Sequence, residues 1–305
     1  MMQPDLKINF GKLELRNPVL VASGTFGYGE EFSELYDLSK LGAVVTKGIS
    51  LKPRAGNPMP RVIETASGLL NAIGLANVGL DVFLHEKLPY LKKNKATVIV
   101  NIFGESIEEY VALALKINGS NGVSGLELNI SCPNVKCGGL AFGTDPKSAA
   151  EVTKEVRKAT SFPLIVKLSP QVASIAEMAQ AVVEAGADIL SVINTVPGMA
   201  IDTKTKKPKL ANIFGGLSGP AIKPIALKLV YETAKAVNVP IIGMGGIMNT
   251  TDAIEFFLAG ASAIQIGTGN FVNPSLGLEI IAGLRQYMID HNLADLSQII
   301  GKLET

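Results

Sequence analysis

Short apolar, β-rich runs alternate along almost the whole chain with longer segments whose apolar residues recur at helical spacing. Eight runs read as strands: Asn17–Ser23, Ala43–Gly48, Thr97–Phe103, Leu126–Ser131, Pro163–Ser169, Ile189–Thr195, Pro240–Gly246 and Ala263–Gly269. Amphipathic stretches cover Ser106–Asn118, Pro146–Thr160, Ile175–Gly186, Ile222–Val237, Thr251–Ala259 and Ser275–His291, most ending near a Gly, Asn or Pro. Near-continuous apolar strands separated by helices are parallel strands buried on both faces. Eight such units predict an α/β chain closed into one (β/α)8 TIM barrel, a single domain over residues 1–305. A doubly wound open sheet is the competing architecture, but no G-x-G-x-x-G turn follows the first run.

Before the first barrel strand, LKINFGKLELRN alternates around Phe10-Gly11-Lys12 and reads as an N-terminal β-hairpin. Two connections, Ile49–Asn77 and Val196–Pro220, are longer than barrel geometry requires. Both follow the carboxyl ends of strands, the face where barrel enzymes build their sites. The run Lys204–Lys209 (KTKKPK) within the second reads as a solvated loop.

Composition narrows the function classes. Apolar residues make up 47% of the 305 and charged ones 18%, below the ~25% usual for soluble domains, so a large core is expected and disorder is not. A net charge of +1 gives no field for a polyanion, and nucleic acid is not an expected partner. Two cysteines and two histidines argue against a disulfide scaffold, an iron–sulfur cluster or a metal site in this chain and fit a reducing, cytoplasmic setting. The opening MMQPDLKINF lacks the basic and apolar regions of a signal peptide, and no stretch offers the ~20 apolar residues of a membrane span.

The chemistry is marked by polar residues inside apolar strands. Lys47, Asn101, Asn129, Lys167 and the pair Asn194-Thr195 end the second to sixth runs. Burying such groups without partners costs several kcal/mol, so five adjacent strands doing this predict convergence on a polar ligand. The seventh and eighth runs end in Gly243-Met244-Gly245-Gly246 and Gly267-Thr268-Gly269. Glycine allows close backbone approach, and paired loops at these two strands suit a phosphate, hence a phosphorylated cofactor such as FMN. After the fourth run comes Ser131-Cys132-Pro133-Asn134, then Cys137 and the pair Gly138-Gly139. A buried thiol is ordinarily inert, but Cys132, just past a strand end and ahead of a glycine-bearing Val135–Thr144 loop able to act as a lid, is a candidate base. His85 and His291 fall in helical segments and offer it no partner.

Taken together, ASGTFGYG, TKGIS, NAIGLANVG, NIFGES, LELNISCPNVKCGG, VKLSP, VINT, GGLSGPAIKP, GMGGI and IGTGNF resemble the dihydroorotate dehydrogenase family, its class 1B catalytic subunits in particular. The resemblance runs from about Leu6 to the last helix. It implies FMN over the barrel mouth and oxidation of dihydroorotate to orotate in pyrimidine synthesis. By matching motifs, Ser23, Lys47, Gly48, Asn101, Asn129, Lys167, Ile193, Gly219, Gly245, Gly246, Gly267 and Thr268 are expected to hold FMN. Lys47, Asn71, Ala72, Ile73, Gly74, Leu75, Asn129, Asn194 and Thr195 are expected to bind dihydroorotate, with Cys132 as base and Lys47 beside it in the reaction. No role follows for Cys137.

Class 1B also implies NAD as final acceptor, reached through a partner subunit carrying FAD and a 2Fe–2S cluster, two copies of which would join a homodimeric core of this chain. The fumarate-linked class continues its cysteine loop as CPNVPGKPQ, where this chain reads CPNVKCGG. That class, another FMN barrel reductase such as a tRNA dihydrouridine synthase, and a non-catalytic barrel subunit are the alternatives.

Overall fold

The computed structural model describes residues 4–130 and 139–304. The hairpin forms as expected, β1 (Ile8–Phe10) pairing antiparallel with β2 (Leu13–Leu15). Barrel strands β3 (Val19–Val21) and β4 (Ala43–Val45) follow. A first excursion holds β5 (Val62–Thr65) and β6 (Gly68–Asn71). Four barrel strands then come in succession: β7 (Val98–Ile102), β8 (Gly125–Asn129), β9 (Leu164–Lys167) and β10 (Ile189–Val192). A second excursion holds β11 (Val196–Gly198), β12 (Ile201–Asp202), β13 (Lys207–Pro208) and β14 (Gly215–Ser218). Finally β15 (Ile241–Met244) and β16 (Ala263–Ile266) complete the set. The eight strands β3, β4, β7, β8, β9, β10, β15 and β16 close into one parallel barrel, seven lying within predicted runs and β8 starting one residue before its run.

Outside the barrel lie helices Ile107–Ile117, Pro146–Ala159, Ile175–Glu184, Lys223–Ala236, Thr250–Leu258 and Leu276–Asp290, differing from expectation by one or two residues at their ends. Four of these starts are set by side chains. Ser106, Asp145, Ser174 and Asn249 each accept the backbone N–H three residues on, satisfying a donor the helix leaves unpaired.

An inner core of Leu20, Ala43, Val45, Ile99, Ile165, Ile189, Ile242 and Ala263 fills the barrel, and Leu13 and Leu15 of the hairpin pack onto it. Strand side chains alternate faces, so two residues further along the same strands Asn101, Lys167, Ser191 and Gln265 also point inward. Glu127 of β8 lies in register with Asn101 on one side and Ile165 on the other. A polar layer therefore sits directly above an apolar one.

The two long connections prove to be one structure. Strand β14 pairs with β6, Gly216 opposite Asn71, giving a four-stranded antiparallel sheet in the order β11-β14-β6-β5. Lys204–Lys209 is more ordered than the expected loop: β12 and β13 pair, and Asp202 Oδ1 accepts the Lys204 and Thr205 amides in the exposed turn between them.

Candidate active site

Barrel and sheet together enclose a cavity of about 450 Å³, within the range of small-molecule sites. Its barrel side is lined by Lys47, Asn101, Asn129, Lys167, Ile193, Asn194 and Thr195, with Ser23 and Gly48 beside them. Gly219, Gly245, Gly246, Gly267 and Thr268 line another wall, and Asn71, Ile73, Gly74 and Leu75 of the first excursion close over it. Ala72 is the exception. The extended chain turns alternate side chains to opposite sides, and its methyl is buried with Leu70 and Leu210 instead. His85 and His291 lie on exposed helical surface, each bonded to the backbone carbonyl four residues earlier.

Strand register places the polar groups. Lys167 stands opposite Asn129 of β8 and Ser191 of β10. Its side chain is almost wholly buried, with the Glu127 carboxylate 4.0 Å away and one long hydrogen bond to Ser23 Oγ at 3.4 Å. Tyr110 donates to the Asn129 carbonyl at 2.8 Å, and the Asn194 side chain accepts the Thr195 amide at 2.7 Å. Asn71 donates to Gly216 O at 3.1 Å, tying the two excursions together at the cavity. Lys47 is half-buried. Burial holds its ammonium below the usual lysine value, the Arg61 guanidinium adds to that, and Glu31 opposes it.

The glycine wall is shaped for close approach. Gly245 and Gly246 have φ of 129° and 77°, and a Cβ on them would stand 2.7 Å from Ala226 Cβ and 2.8 Å from Lys223 Cβ. The amides of Gly246, Ile247, Gly267 and Thr268 find no acceptor among the described residues. Such a cradle, with a buried lysine and carboxamides at the floor, fits a phosphorylated ring cofactor. Among the described residues no group of His, Cys, Asp or Glu is placed to hold a metal ion.

The expected base Cys132, with Cys137, lies outside the described residues. Of the Val135–Thr144 segment, expected as a loop, the part Gly139–Thr144 is a short helix. Sequence reasoning missed Ser218, whose Oγ accepts from Thr268 Oγ1 at 2.7 Å and ties the sheet to the glycine wall. It also missed Glu127, Ser191 and Gln265, all inward-facing. The signal for Glu127 was its two-residue spacing from Asn129, which puts both on one face.

The family described as dihydroorotate dehydrogenase matches residues 5–288. The chain is 57% identical over 304 residues to the "Dihydroorotate dehydrogenase B (NAD(+)), catalytic subunit" of Geotalea daltonii, covering 100% of both chains. The protein of the same name from Trichlorobacter lovleyi is 58% identical, over 99% of this chain and 100% of its own. That of Geobacter sulfurreducens is 56% identical and covered in full. Matched along its length, with a parallel barrel whose strand ends and inserted sheet enclose one polar cavity, the chain belongs to the dihydroorotate dehydrogenase family.

Proposed function

We propose that this chain oxidises (S)-dihydroorotate to orotate with bound FMN, as the catalytic subunit of an NAD-linked dihydroorotate dehydrogenase in pyrimidine biosynthesis. One observation carries the reading: lysines and carboxamides from separate strands share one cavity with the glycine wall, where the amides of Gly246, Ile247, Gly267 and Thr268 have no acceptor among the described residues.

The glycine amides would take the FMN phosphate, and Ser23, Asn101 and Lys167 the ring. When bound, FMN supplies a hydride acceptor for C6 of dihydroorotate. Lys167 keeps a positive charge where that ring would gain electrons, an electrostatic contribution of the usual dominant kind. Asn71, Asn129 and Asn194 would match the amides of the substrate ring, and Lys47 its carboxylate. Held this way the substrate is oriented for loss of a proton from C5. Cys132, three residues beyond Asn129, is the proposed base by its family motif.

Electrons would leave through a partner subunit holding FAD and a 2Fe–2S cluster, two copies joining a homodimer of this chain. The name of the relatives, dihydroorotate dehydrogenase B (NAD(+)), catalytic subunit, supports such a partner. Among the described residues no helix is long and apolar enough to cross a membrane, and we place the protein in the cytoplasm as a single-domain barrel.

The purified chain should be yellow, its flavin spectrum should shift with orotate, and it should turn over dihydroorotate with a dye acceptor. A folded, colourless preparation unable to take up FMN would overturn the reading. Reduction of NAD after mixing with an iron–sulfur flavoprotein, and not of fumarate by the chain alone, separates this class from the fumarate-linked one.

A further inference from the structure

Beneath the cavity lies a carboxylate that no step above uses. Glu127 is fully buried inside the barrel. Its Oε1 accepts from Asn101 Nδ2 at 2.7 Å and faces Lys167 Nζ at 4.0 Å. Its Oε2 accepts from Ser191 Oγ at 2.9 Å and Gln265 Nε2 at 2.8 Å. Donors from four other strands thus surround one carboxylate. Bringing a lone charge into a barrel is very costly, and here the Glu127 charge and the Lys167 charge offset one another.

The carboxylate also sets the amides around it. Asn101 and Gln265 both present N–H to Glu127 and leave their carbonyl oxygens without a partner among the described residues. Turned over, each would press its oxygen against a carboxylate oxygen. Asn101 Oδ1 is thereby directed toward Gly48 at the cavity wall, where even a Cβ on Gly48 would stand 2.9 Å from it. Lys167 is left with most of its donor capacity for a ligand.

We propose that Glu127 is a positioning residue: its charge offsets and anchors Lys167 at the cavity floor and fixes the amide of Asn101 with its oxygen toward Gly48. This rests on reading the cavity as a flavin site. The consequence is electrostatic, because the field felt by the ring is that of the pair and not of a bare ammonium.

The FMN-loaded parent and Glu127→Gln are compared by dye equilibration. With the neutral isostere Lys167 is no longer offset, so the reduced, more negative flavin is favoured. The midpoint potential should rise by a tenfold change in the reduction equilibrium, about 30 mV for a two-electron couple. An unchanged potential with FMN bound would overturn the proposal, since a packing role alone predicts no such shift.

Urea unfolding of cofactor-free chains is the second readout. Glu127→Gln should lower the midpoint, and Glu127→Gln/Lys167→Met, which removes both charges, should recover it. A double variant no more stable than the single one would equally overturn the pairing. Failure of the parent to take up FMN ends the flavin reading instead, while the unfolding comparison still decides whether the two charges act together.

Discussion

A Cβ built on Gly216 of β14 would stand 2.0 Å from the Thr195 hydroxyl oxygen and 2.7 Å from its Cβ. The segment that leads from barrel strand β10 into β11 thus packs directly against β14, with no room for one methyl group. Thr195 is β-branched and cannot swing aside cheaply. Gly216→Ala should cost about 1–3 kcal/mol in urea unfolding, and should weaken orotate binding because Thr195 and the Asn71 bond to Gly216 O both line the site. Stability and orotate affinity equal to the parent's would refute this contact.

Lys47 gives a pH prediction with a definite sign. Burial lowers its pKa from 10.5, so between the lowered value and 10.5 the folded protein holds fewer protons than the unfolded chain. Its contribution to stability therefore rises with pH across that window. Ligand binding runs the other way, because a carboxylate needs the charged ammonium. Orotate affinity should fall on the alkaline side before an ordinary lysine would lose its proton. Lys47→Met should bind about 10- to 100-fold more weakly, as expected for a lost charged hydrogen bond, and with a flat pH profile. Titration of orotate from neutral to alkaline pH checks both, and a pH dependence that persists in the variant assigns it elsewhere.

Asp252 holds the glycine wall from behind. It accepts from Lys223 Nζ at 2.6 Å and from the Met248 amide at 2.8 Å, and Asp252, then Glu255, raise the Lys223 pKa. Asp252→Ala should destabilise the chain by about 2–3 kcal/mol. It should also release FMN more readily, read as recovered flavin fluorescence on dilution. Retention of FMN at the parent's level would show that the Gly245-Gly246 turn holds its shape unaided.

For the proposed base, Cys132→Ala should slow flavin reduction by dihydroorotate about 10²- to 10⁴-fold while FMN stays bound. Stopped-flow reduction at the parent's rate would remove Cys132 from the reaction.

The barrel was legible because its signals are local. Runs such as Thr97–Phe103 and Pro163–Ser169 are apolar on both faces, and amphipathic segments with capping residues separate them. The site was legible where a polar residue interrupts such a run, as at Asn101 and Lys167. Glu127 lies in mid-strand and not at a strand end, and only its two-residue spacing from Asn129 marks its inward direction. The pairing of β6 with β14 had no local trace, since two short strands roughly 145 residues apart in sequence declare their partnership only through tertiary contact. Ala72 was carried by its motif, while alternation of side chains turned its methyl away from the cavity.

The apolar stopper that Leu13 and Leu15 press into the lower end leaves the polar layer reachable from one side only. A small molecule must therefore enter and leave by the same doorway, so one bound ligand has to clear the threshold before the next can pass.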